Sequence, residues 1–106
     1  MNIVKCVEFK KNFLDYLEKE KQLANNTRKS YHLDLEQFVN FWKNVEEKET
    51  QEISLDRAIV RYNTALLHKN LDKRSVARKM SCLSSFLRFL QLSDIYIKID
   101  FQRPHI

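Results

Sequence analysis

The chain has 106 residues, enough for one domain with one hydrophobic core. It is 43% hydrophobic and 11% aromatic, which excludes disorder by composition; with no Gly and a single Pro, Pro104, it also lacks every Gly-rich phosphate loop and nucleophile elbow, and an all-β fold is disfavoured. The formal net charge is +5, split as 9 Lys/Arg against 10 Asp/Glu over residues 1–53 and 10 against 4 over residues 54–106, so the second half is the candidate for a polyanionic partner, nucleic acid ahead of a membrane surface.

Four segments show helical periodicity. Phe9, Phe13, Tyr16, Leu17 and Leu23 predict a first helix over about 7–23. Leu23-Ala24-Asn25-Asn26 reads as a tight turn. Thr27, Tyr31, Leu35, Phe38 and Trp42 line one face of a second helix over about 27–44, with Asn26 as N-cap and Asp34 and Phe41 at the border of that face. Val45 to Ile53 is polar and acidic and reads as an exposed loop. Leu55, Ile59, Tyr62 and Leu66 mark a third helix over about 55–69, with Ser54 as N-cap. Asn70 stands where a left-handed residue commonly ends a helix. Val76, Met80, Leu83, Leu87 and Leu90 mark a fourth helix over about 73–92, with Asp72 as N-cap. Beyond Ser93, Ile95, Ile97, Ile99 and Phe101 alternate with polar residues, as an extended tail or short strand would. The expected fold is all-α, a small four-helix bundle with an extended C-terminal tail.

Catalytic groups are not readable in this pattern. Asp15/Glu18 and Glu46/Glu47/Glu49 look like solvated charge, and no triad spacing is present. Cys6 and Cys82 are far apart, and His32, His68 and His105 stand at no ligand spacing, so no metal site or cofactor is expected. The two thiols are expected to be reduced and partly buried, as in a cytoplasmic protein. No apolar run approaches the length of a membrane span, and the N-terminus has no signal-peptide core.

The fourth helix carries the clearest functional signal. On a wheel of 100° per residue, Arg74, Arg78, Ser81, Ser85 and Arg88 lie opposite the Val76–Met80–Leu83–Leu87 stripe. Lys73 stands in the first turn and Lys79 nearer the flank. No acid interrupts Lys73 to Leu92, whereas an ordinary solvated helix mixes Glu with Lys. Arg reaches phosphates and guanine edges with a two-pronged fork, and Ser donates to phosphate. A nucleic-acid face and a plain solvated face both fit this pattern. On either, Arg78 is expected to be a solvated side chain whose removal leaves stability unchanged. Phe86, Phe89 and Cys82 occupy a third sector, read as a wide buried face or else as an exposed docking patch. On the second helix, Thr27, Arg28, Lys29 and His32 gather in the first turn and a half, where free backbone N–H groups favour phosphate.

The stretch FLDYLEKEKQLANNTRKSYHLDLEQFVNFW, with Thr27, Tyr31, Asp34-Leu35, Phe38 and Phe41, resembles the opening of the core-binding domain of tyrosine recombinases and phage-type integrases. Residues 71–90, LDKRSVARKMSCLSSFLRFL, are similar to that family's last long helix through Arg74-Ser75, Arg78, Ser81, Leu83, Phe86 and Phe89. The likeness covers about residues 8–92 and points to the Xer-like branch. Asn70 and Asp72 depart from the Gly and Ser frequent before that helix.

The resemblance implies a SAM-like four-helix domain over residues 1–93 and a linker over 94–106. It implies double-stranded DNA as partner, gripped as half of a clamp with the second and fourth helices toward the major groove. The other half would be a catalytic domain of the same parent chain, which would carry the nucleophilic Tyr, an Arg pair, Lys and His. Other recombinase protomers on DNA are further expected partners. Tyr16, Tyr31, Tyr62 and Tyr96 match core or linker places, so binding without cleavage is expected. The stop at Pro104-His105-Ile106, where a linker would continue, suggests a piece of a longer protein. The competing reading is a helical protein-interaction domain that meets an acidic partner, with Leu33, Phe86 and Phe89 as anchors.

Overall fold

The computed structural model describes residues 1–19 and 23–92. Its elements are four helices: α1 (Ile3–Lys19), α2 (Asn25–Glu49), α3 (Leu55–His68) and α4 (Lys73–Leu92). Each arises from the apolar spacing of its own segment. The expected tail and the end of the first predicted helix lie outside the described residues. No helix among the described residues is long and apolar enough to cross a membrane.

α1 begins four residues earlier than the periodicity suggests. The Asn2 side-chain oxygen accepts the Lys5 N–H at 3.0 Å, and the Asn2 carbonyl accepts the Cys6 N–H. Asn2 thereby caps the helix, and Cys6, Phe13 and Leu17 form its buried stripe. The start of α2 also differs from expectation. Asn25 and Asn26 are already helical, and the cap position is Ala24, in extended geometry and with no side-chain cap bond.

At its other end α2 continues through the acidic stretch expected to be a loop. Glu46 explains why: its carboxylate accepts the Ile53 N–H at 2.8 Å, while the Trp42 indole N–H donates to the Ile53 carbonyl at 3.0 Å. The chain is thus folded back onto the last turns of α2. Thr50 ends the helix at φ 49°, and the Gln51 N–H closes onto the Glu46 carbonyl, a Schellman-type stop. Asn70 takes the left-handed conformation expected of it, at φ 52°. α4 starts and ends where its pattern predicts, with Asp72 accepting the Arg74 N–H at 3.4 Å.

α2 is the central helix and touches the other three. Two aromatic groups fill the core. Phe13 meets Phe86 and Phe89 at centroid distances of 5.3 and 5.5 Å, and Phe89 also lies 5.0 Å from Tyr16. Phe38 meets Trp42 and Tyr62 at 5.8 and 5.3 Å. Phe86 and Cys82 are fully buried, so the third sector of α4 is a packed face. The Leu55 N–H donates to the Met1 carbonyl at 3.2 Å, which ties the start of α1 to the start of α3.

Candidate nucleic-acid interface

α2 and α4 run antiparallel, and their contacts define a seam. The Cys82 thiol donates to the Tyr31 carbonyl, Arg78 and Lys79 meet Asp34, and Lys79 also reaches Gln37. Residue numbers rise on one helix as they fall on the other. Both helices turn their apolar sectors to the core on one side of this seam. Their polar flanks therefore meet on the other side.

From α4 that surface takes Arg74, Arg78, Ser81 and Arg88, all exposed, with Ser85 half-buried. From α2 it takes Leu33, Gln37 and Asn40, all exposed, with Ser30 half-buried. On the helical wheel these α2 residues flank Asp34 on the side away from Tyr31, Leu35 and Phe38. No exposed carboxylate stands among these residues; Asp72 lies at the edge, before the first turn of α4.

Beneath the surface lies an ionic cluster. The Asp34 side chain is 2% exposed. Arg78 donates to it twice, from Nε at 2.9 Å and from Nη2 at 3.0 Å. Lys79 Nζ donates at 2.9 Å to Asp34 Oδ1 and also to the Gln37 side-chain oxygen. Burial by itself raises the Asp34 pKa; the hydrogen bonds and charges of Arg78 and Lys79 outweigh it and hold the carboxyl below its usual range. The Arg78 side chain keeps 44% exposure, whereas that of Lys79 keeps 9%.

Residues 11–93 match the phage integrase N-terminal SAM-like domain. The chain belongs to this family. It is 35% identical over 95 residues to a tyrosine recombinase XerC of Listeria innocua, covering 89% of this chain and 31% of the relative. It is 36% identical over 89 residues to a tyrosine recombinase XerC of Thermodesulfovibrio yellowstonii, covering 84% and 28%. A third XerC, from Pediococcus pentosaceus, is 34% identical over 91 residues, covering 85% and 30%. The chain thus spans about a third of the length of these curated relatives. No solved structure matches it.

The site residues expected from the sequence of this SAM-like domain divide into four groups. Arg74, Ser81, Ser85 and Arg88 share the α2–α4 surface, and Lys73 stands exposed at its end. Thr27 is half-buried in the first turn of α2. Arg28, Lys29 and His32 turn to the opposite flank. Arg28 pairs with Glu18 at 3.4 Å and with the Asn25 side chain, and Lys29 and His32 share a shallow groove with Leu14, Asp15 and Glu18 of α1. Arg78 corrects the expectation of a freely solvated side chain, and Lys79, expected among the DNA-binding residues, is buried. Lys79 is bound to Asp34 and Gln37, and Arg78 is tied on one edge.

Ser30, Leu33, Gln37 and Asn40 were not among the expected site residues, although they complete the surface. Reading α2 outward from Asp34, instead of from its first turn, would have found them. Of the three anchors of the protein-interaction reading, Phe86 is fully buried and Phe89 packs on Phe13 and Tyr16; only Leu33, at 60%, is exposed.

Proposed function

We propose that this integrase-type domain binds double-stranded DNA along the α2–α4 seam, as half of a clamp on a recombination site. The acid-free Arg/Ser flank of α4 beside the polar flank of α2 is the observation that carries this reading. Arg74, Arg78 and Arg88 supply guanidinium forks, while Ser81 and Ser85 let the two backbones approach. Lys73 extends the positive field toward neighbouring phosphates.

The other half of the clamp is a catalytic domain of the same parent chain, reached through residues 94–106 after a domain of residues 1–93. Other protomers of the recombinase assemble on the same DNA. The domain holds DNA and leaves strand cleavage to that partner. Because the ligand is DNA, its place of action is the cytoplasm.

Titration of a labelled mixed-sequence duplex at several salt concentrations tests this. Half a clamp should bind non-specifically, with Kd of order 10⁻⁴–10⁻⁶ M at physiological salt, and log K should fall linearly with log salt. Arg74→Ala and Arg88→Ala should each weaken binding and lower the slope by roughly one if they contact phosphate. Salt-independent binding, or no effect from either substitution, overturns the reading. So does strand cleavage by the pure chain.

A further inference from the structure

We infer that Asp34 is a positioning residue for DNA binding: its buried carboxylate grips one edge of Arg78 and presents the other edge of that guanidinium to DNA. The inference rests on the DNA-binding reading above and adds a role for an acid beneath a basic surface.

The geometry is specific. A guanidinium carries five N–H donors in a planar fork. Asp34 takes one from Nε and one from Nη2, at 2.9 and 3.0 Å. Three remain, and two of them, one from Nη1 and one from Nη2, form a second fork. Asp34 is held on α2 and Arg78 on α4, so the plane of the guanidinium is fixed by two helices. A free Arg loses much rotamer freedom when it binds, whereas Arg78 is ordered beforehand, so less entropy is lost on contact with a phosphate or guanine edge.

Lys79 completes the device. A bare carboxylate under this surface would repel phosphate. The Lys79 ammonium lies on Asp34 Oδ1 at 2.9 Å and offsets it. With Arg78⁺, Lys79⁺ and Asp34⁻ together, the cluster presents one net positive charge, and the half-exposed member is the one with donors to spare.

The sign of the Asp34→Asn effect separates positioning from charge. Removing an acid from a basic face should strengthen DNA binding by electrostatics alone. Asp72→Asn, at the edge of the same surface, should do so. If Asp34 positions Arg78, Asp34→Asn should instead weaken binding of the mixed-sequence duplex about tenfold, the equivalent of ~1.4 kcal/mol. Circular dichroism should show both variants folded at the assay temperature. Arg78→Lys keeps the charge and the folded pair but loses the fork, and it should weaken binding to a similar degree.

Stronger binding by Asp34→Asn, matched to Asp72→Asn, overturns the inference. Should Asp34→Asn not fold, wild-type affinity in Arg78→Lys overturns it equally. In both cases intact effects of Arg74→Ala and Arg88→Ala would leave the DNA-binding reading standing. Loss of those effects as well would remove both.

Discussion

Arg78 and Lys79 are neighbours in sequence with one shared partner and different exposures. That difference sets their energetics. Arg78→Ala removes two charge-assisted hydrogen bonds from Asp34 but leaves Lys79 in place, and solvent already reaches the guanidinium. We expect a loss of about 1–2 kcal/mol of stability, discounted for that solvent. Lys79→Ala removes the buried ammonium and leaves Asp34 to the half-exposed Arg78 alone, and should cost more, about 2–3 kcal/mol. Urea denaturation of both variants checks the order; equal costs would show that exposure does not decide it.

The same cluster makes stability depend on pH with a definite sign. The carboxyl of Asp34 titrates lower when folded than when unfolded. Its contribution is therefore fully present above the ordinary Asp value and is lost as pH falls through the depressed folded value. Thermal melts should show a fall at acid pH that is smaller in Asp34→Asn. Cys6 and Cys82 have the opposite sense. Burial pushes both thiols up to about 12, so the neutral forms stabilise the fold and that contribution fades in alkali. None of this was readable from the wheel, which shows the face a residue occupies but not a partner 44 positions away. The placing of Asp34 at the border of an apolar face was the available hint.

At the scale of elements, α3 and α4 were readable nearly to the residue. Their apolar stripes are regular, and Ser54, Asn70 and Asp72 punctuate them. The end of α2 was not readable, because the reason it continues to Glu49 is tertiary. Glu46 and Trp42 hold Ile53 from two sides, and no local propensity announces that. The stop itself uses a β-branched residue in the left-handed region, Thr50 at φ 49°. Thr50→Gly should relieve about 1 kcal/mol of backbone strain. A rise in the urea midpoint checks it. Thr50 also donates its hydroxyl to the Glu49 carbonyl, so an unchanged midpoint would mean that this bond offsets the strain.

For the whole molecule, the basic surface has a consequence for folding as well as for binding. α4 begins with Lys73 and Arg74, has no acid in its first turn and no cation in its last. Its charges thus oppose the helix macrodipole and repel one another along one flank. The free domain carries a standing electrostatic cost that only an anion relieves. Multivalent anions should then act as ligands of the folded state, in the way mass action prescribes. Sulfate should raise Tm more than chloride does at equal ionic strength, and a short duplex should raise it further. Arg74→Gln should shrink the sulfate effect while raising Tm in chloride, because it removes a charge that opposes the macrodipole. Identical responses to the two salts would mean that the flank is merely screened. On the proposed reading, stability measured without DNA understates that of the DNA-bound domain, and the two can be tuned against each other by single charges on one helix.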